Sequence, residues 1–166
     1  MNTSDLQTIY DYNYWANGRI LAAAAQLSQE QFVAIPASSG GSMRGTIVHV
    51  LDAEYAWRML LQHKTLDHFR ELKADDFPTV AALAERWRED EQSMRAWLST
   101  LTDADLAGTI RYTTDEGGTR ERVLWHCLWH VVNHGTQHRS EAAVLLTDYG
   151  CSPGGLDFTA FLNELV

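Results

Sequence analysis

Apolar residues recur at helical intervals along four long segments of this chain, and no other feature constrains the fold as strongly. The segments comprise residues 3–27, 45–62, 79–101 and 123–149. Apolar residues three or four positions apart share one face of an α-helix, so each segment has a face to bury. Four such helices predict an all-α protein built as a four-helix bundle. The length of 166 residues predicts a single domain over residues 1–166.

Shorter patterns around these segments predict small additional elements. Residues 28–32 and 156–165 are typical of short helices. In residues 109–123, apolar and polar residues alternate before Gly117 and Gly118. This pattern predicts a small hairpin before the fourth helix. The Gly-, Ser- and Pro-rich residues 36–45 predict a loop.

Residues that favour helix ends are found at the expected boundaries. Thr3 or Ser4 is placed to cap the first helix, and Ser42 to cap the second. Gly150 and Pro153 are expected to end the fourth helix, because glycine accepts the left-handed backbone that follows a helix and proline cannot continue one.

Charge and cysteine content exclude several classes of protein. The chain has 13 Lys and Arg against 22 Asp and Glu, a net charge of −9, which argues against a nucleic-acid partner. No stretch approaches 18 consecutive apolar residues, so we expect no membrane span. Two cysteines, Cys127 and Cys151, make no disulfide framework, and the N-terminal residues lack the features of a signal peptide. A cytoplasmic protein is predicted.

The fourth helix contains a ladder of histidines at a strict spacing of four: His126, His130, His134 and His138. Neighbours in such a ladder are about 6 Å apart along the helix axis and roughly 40° apart around it, so two neighbours can share one ion. Across all four, the rise is about 18 Å and the rotation about 120°. One ion can therefore use only one adjacent pair.

The apolar pattern of the fourth helix favours one pair. One stripe should face the bundle interior, and it comprises Leu124, Leu128, Val131, Gly135, Ala142, Leu145 and Tyr149. His138 falls within this stripe and His134 at its flank, whereas His126 points nearly opposite. Gly135 leaves space for a ligand or a neighbouring helix. His130 stays open as an alternative partner of His134, and otherwise it and His126 are surface or interface groups.

A catalytic metal site needs at least a third protein ligand, and His49 in the second helix is the best candidate. The competing interpretation of His49 is a hydrogen-bonded core histidine. His63 and His68 lie in a polar segment and are expected to be solvated. A single ion held by three imidazoles follows, because neither the H-E-x-x-H pattern nor the E-x-x-H pattern of di-iron bundles is present. Imidazole suits zinc, nickel, copper or iron.

Three stretches together resemble one known family. The run "YNYWAN" at residues 12–17, "TIVHVLDAEYAW" at 46–57 and "HVVNHGTQHR" at 130–139 are similar to the DinB-like family of small bacterial damage-inducible or stress-associated proteins. The resemblance covers nearly the whole chain.

The resemblance implies a four-helix bundle in which three histidines hold a metal ion. Carried onto this sequence, these ligands are His49, His134 and His138. One divalent transition metal ion is expected, with zinc and nickel favoured. The resemblance also implies a homodimer, and within the family some members resemble thiol-dependent transferases or isomerases that use a low-molecular-weight thiol.

Two kinds of chemistry on a small-molecule substrate follow from such a site. The ion can activate a thiol that attacks an electrophile, or it can activate water for hydrolysis. The alternative is a metal-binding stress protein without catalysis. Asp52 and Glu141 are candidates to accept a hydrogen bond from a ligating histidine and so orient its ring. The competing interpretation is that each is an exposed charge on a helix.

Four further residues are given weaker assignments. Arg139 would hold a substrate carboxylate or phosphate, or would pair with an acidic neighbour on its own helix, Glu141 or Asp148. Trp15 and Asn17 are candidates to line the pocket, with burial in the core as the alternative. Cys127 is expected to be a small buried residue.

Overall fold

The computed structural model describes residues 1–36, 41–114 and 116–166. Four long helices form the bundle that the sequence predicts: α1 (Thr3–Ala24), α3 (Met43–His63), α4 (Val80–Leu98) and α6 (Leu124–Asp148). The centre of the predicted loop, residues 37–40, lies outside the described residues. No helix in the described ranges is both long and apolar enough to cross a membrane.

The smaller elements are also present. Short helices α2 (Gln29–Val33), α5 (Asp103–Ala107) and α7 (Phe158–Glu164) and a 3-10 turn (Ala74–Asp76) accompany the bundle. Strands β1 (Thr109–Thr113) and β2 (Thr119–Val123) pair antiparallel and confirm the hairpin before α6. Residue 115, in the turn of this hairpin, lies outside the described part of the chain.

Capping explains where the long helices begin and end. The prediction for α1 was wrong, because Asn2 rather than Thr3 or Ser4 is the cap. Its side chain accepts a hydrogen bond from the Asp5 N–H at 2.8 Å, and the Asp5 carboxylate accepts one from the Asn2 N–H at 3.0 Å. Ser42 caps α3 as predicted, and Gly150, with φ 76°, ends α6.

The core comprises two apolar clusters, one toward each end of the bundle. The first surrounds Tyr10 and Leu128 and extends to the hairpin residue Tyr112, while the second surrounds Met43 and Leu146. Helices α3 and α6 make the most extensive helix–helix contact. The two helices that contain the candidate ligands are therefore the two that pack together most closely.

A buried polar layer separates the two clusters. Glu54 is only 3% exposed and Arg139 only 2%. Asn13 and Asn17 of α1 lie between them: each amide donates to Glu54 Oε1, at 2.7 and 3.0 Å, and each amide oxygen accepts from Arg139 Nη1, at 2.6 and 2.8 Å. Trp87 of α4 donates to Glu54 Oε2 at 2.9 Å. This layer joins all four long helices.

Candidate metal centre

The structure brings His49 of α3 together with His134 and His138 of α6. One ring nitrogen from each residue lies within 4.8 Å of the others. Ring centroids are 5.1 Å apart for His49 and His134, 4.6 Å for His49 and His138, and 4.5 Å for the pair on α6. Among the described residues this is the group of three side chains that can converge on one ion.

The cluster lies at the solvent edge of the contact between α3 and α6. His134 and His138 are half-buried, and His49 is exposed, so the interpretation of His49 as a core histidine is wrong. The predicted stripe of α6 is buried from Leu124 to Leu145, whereas Tyr149 is only half-buried. The two histidines flank this stripe, with one side toward the bundle and the other open to a ligand.

A carboxylate orients one of the three rings. Glu141 Oε2 lies 2.8 Å from His138 Nδ1, which leaves Nε2 of that ring available to an ion. Histidines that bind metals commonly donate their second nitrogen to such an acceptor. Asp52, the other candidate, instead accepts from the backbone N–H of Leu72 at 2.7 Å, and burial raises the pKa of its carboxyl group.

The electrostatics of the cluster fit a divalent transition metal ion. Burial, together with the neighbouring rings of His138, His49 and His130, lowers the pKa of His134 to about 4. His134 is therefore a neutral imidazole at neutral pH, which is the form that binds a metal ion. A set of three imidazoles is a common donor set for zinc and related ions, and it leaves further coordination positions open.

Comparison with known proteins agrees with this geometry. A profile of the DinB family matches residues 1–164. The chain belongs to the DinB family. A curated relative, Protein DinB of Bacillus subtilis (strain 168), is 24% identical over 168 residues, covering 93% of this chain and 91% of that protein. The three-histidine cluster and the family membership together fit a metal-binding DinB protein.

The other histidines of this DinB-family chain lie outside the cluster. The His130 ring packs against Trp57, with centroids 5.0 Å apart, and lies 6.0 Å from the ring of His134. His126 packs against Trp125 at 4.2 Å. Both are exposed, as are His63 and His68. The geometry thus favours His138 over His130 as the partner of His134.

Arg139 neither lies in an open ligand site nor pairs with an acidic neighbour on its own helix, the two roles predicted for it. It is buried and contacts no ligand site, because its guanidinium binds Asn13 and Asn17 and donates to Thr136 Oγ1 at 3.0 Å. Asn17 belongs to this layer rather than to a pocket. Trp15 packs against the C-terminal helix and donates to Glu164 Oε2 at 2.8 Å.

The sequence reasoning missed Asn13 and Glu54, although one signal was present. Asn13 and Asn17 lie four residues apart and therefore share a face of α1, where they alternate with buried Tyr10 and Ile20. Two polar residues on an apolar face indicate a buried partner. The motif "YNYWAN" thus contributes to the polar layer that connects the helices. Its partners lie close to the candidate ligands in sequence, because Arg139 follows His138 by one residue and Glu54 follows His49 by five.

Replacing Glu141 with alanine is expected to weaken metal binding by about tenfold, because His138 loses the acceptor that sets its ring orientation. Competition with a chromophoric chelator measures the affinity. Asp148→Ala is the matched control, since it removes an exposed carboxylate further along the same helix. Equal losses in the two variants would indicate a general effect of charge rather than orientation of His138.

Proposed function

We propose that this protein is a metal-dependent transferase in which His49, His134 and His138 hold one divalent ion, zinc or nickel. Its substrates would be a low-molecular-weight thiol and a small electrophile, and a bound ion would supply activation of the thiol. The observation that carries the proposal is the convergence of three imidazoles from two closely packed helices, with Glu141 orienting one of them. Such an ion, when bound, lowers the pKa of a coordinating thiol.

The residues around the cluster are suited to thiol transfer. Three imidazoles carry no negative charge, so the charge of the ion stays available to an anionic sulfur ligand. Each of the two nearby carboxylates already has a partner, Glu141 in His138 and Asp52 in the Leu72 N–H, so neither is dedicated to activating water. The thiol proton passes to solvent at the exposed edge of the site, next to His49.

The proposed reaction forms one carbon–sulfur bond and breaks two bonds, the S–H bond of the thiol and the bond from carbon to the leaving group. The thiol sulfur forms a bond to an electrophilic carbon, and the leaving group departs with the electron pair of its own bond to that carbon. The protein contributes position: the histidines of α6 and His49 of α3 hold the site rigidly, because the buried layer of Glu54 and Arg139 braces their helices.

Thiol consumption by the metal-loaded protein tests this function. With 1-chloro-2,4-dinitrobenzene as the electrophile and cysteine, glutathione and coenzyme A as thiols, we expect a rate that requires metal. His134→Ala should lower it by at least about 100-fold, while the exposed His63→Ala should not. Hydrolysis of ester substrates without thiol would favour the hydrolase alternative. A metal-loaded protein without either activity would be a non-catalytic metal-binding stress protein.

We also propose that the protein acts as a homodimer in the cytoplasm during stress. An exposed apolar surface supports the dimer: Trp129 of α6 is 45% exposed and shares a surface pocket with Phe158 of α7, which is 39% exposed. Two free cysteines support a reducing compartment. Sedimentation equilibrium tests the dimer, and a monomer at all concentrations would contradict it.

A further inference from the structure

The hairpin places two arginines on its inner face. Side chains alternate along a strand, so Arg120 and Arg122 share one face of β2. They lie opposite Tyr112 and Ile110, which are the buried residues of β1. Arg111 lies on the other face, opposite Glu121. The two arginines therefore lie on the same face of the hairpin as these buried residues, and both arginines are exposed.

The two arginines are candidates to bind an anion. Neither takes part in an ion pair among the residues that the structure describes. The side-chain hydrogen bond of Arg120 goes to the Thr119 carbonyl at 3.2 Å. In a chain of net charge −9, two arginines that form no ion pair with any described residue make a local positive site that an anion can occupy.

A cavity lies under this face, between the hairpin, α3 and α6. Its volume is about 550 Å³, within the range of small-molecule sites. Trp57, Leu60 and Tyr112 supply apolar and aromatic walls, and Arg120 and Arg122 line the hairpin side. The lining thus combines an apolar body with a cationic end.

One residue of the cavity lining lies next to the candidate metal centre. His130 belongs to its lining and packs against Trp57, with ring centroids 5.0 Å apart. The same His130 ring lies 6.0 Å from the ring of His134. A molecule in the cavity can therefore extend from the arginines of the hairpin to His130, the neighbour of His134 on α6.

We propose that this cavity binds the substrate, and that the substrate is a carboxylate with a planar apolar body. Arg120 and Arg122 bind the carboxylate, since guanidinium groups match its geometry. Trp57 and Tyr112 pack against the apolar body. The reacting carbon then lies at the His130 end, beside His134. This assignment rests on the proposed function, because it takes the cluster as the reaction centre.

Binding of a matched pair of probes tests the assignment. The probes are 3-phenylpropanoate and its uncharged amide, titrated into zinc-loaded protein and followed by the NMR signal of the Trp57 indole N–H. We expect the carboxylate to bind at least about tenfold more tightly than the amide. The double variant Arg120→Gln/Arg122→Gln should abolish this preference. Arg111→Gln, which removes the outward-facing arginine of the same hairpin, should preserve it.

Several outcomes would overturn the assignment. These are equal affinity for the two probes, no shift at Trp57 in the millimolar range, or an equal loss of preference in Arg111→Gln. Repeating the titration on metal-free protein separates the two proposals. Carboxylate binding that needs zinc but not Arg120 and Arg122 would place the anion on the metal and overturn the pocket. Arginine-dependent binding in a protein that never takes up metal would support the pocket while refuting the proposed function.

Discussion

Replacing Glu54 with glutamine is expected to lower the free energy of unfolding by about 3 kcal/mol, because it removes the negative charge that faces the buried guanidinium of Arg139 across Asn13 and Asn17. The carboxylate accepts hydrogen bonds from Asn13, Asn17 and Trp87. A glutamine amide would direct its NH2 group at one of these donors. Both effects destabilise the folded state, since a buried polar group without a partner is costly.

Chemical denaturation followed by circular dichroism measures this loss. Glu85→Gln on α4 is the matched control, because Glu85 forms an exposed ion pair with Arg88. Exposed pairs contribute little, so the control should change the free energy of unfolding by less than about 0.5 kcal/mol. A Glu54→Gln variant as stable as the control would contradict the view that the polar layer braces the bundle.

Two glycine-to-alanine substitutions are expected to have effects of opposite sign. At Gly135 an added Cβ would lie 2.6 Å from Arg139 Nη1 and 3.2 Å from Asn13 Oδ1. The guanidinium cannot move away without losing its buried hydrogen bonds. The cost of this overpacking is about 1–3 kcal/mol, and the lost hydrogen bonds to a charged group add to it. The gain in helix propensity, about 1 kcal/mol, is smaller.

Gly18 in α1 provides the comparison. It is exposed, and an added Cβ would meet no atom within 4 Å. Gly18→Ala should therefore stabilise the protein by about 0.5–1 kcal/mol through helix propensity alone. Thermal unfolding of both variants tests whether Gly135→Ala lowers the melting temperature and Gly18→Ala raises it. A stabilised Gly135→Ala variant would mean that Arg139 does not occupy the space beside residue 135.

The bundle could be predicted because the relevant pattern is local. Helical periodicity, the glycine at position 150 and the alternating hairpin each depend on residues close in sequence. The cap of α1 was misplaced because residue type alone does not distinguish three neighbouring candidates. Asn2, Thr3 and Ser4 are all good caps, and the reciprocal bond with Asp5 selects Asn2.

In the candidate site, too, features within one helix could be predicted and contacts between helices were harder to predict. The pairing of His134 with His138 follows from the geometry of one helix, and Glu141 follows from its position three residues after His138. The sequence also favoured His49 as the third ligand, and the resemblance implied the same residue, but the contact itself depends on how α3 packs against α6. Arg139 was misassigned because its partners, Asn13 and Asn17, come from α1, more than a hundred residues away.

Metal content after dialysis tests the central claim most directly. We expect one zinc or nickel ion per chain in the purified protein, measured by plasma mass spectrometry, and its loss in His49→Ala and in His138→Ala. His130→Ala, a change in the same ladder, should retain the ion. A wild-type protein that takes up no ion, or a His130→Ala variant that loses it while His138→Ala keeps it, would contradict the assignment of His49, His134 and His138 as the metal ligands.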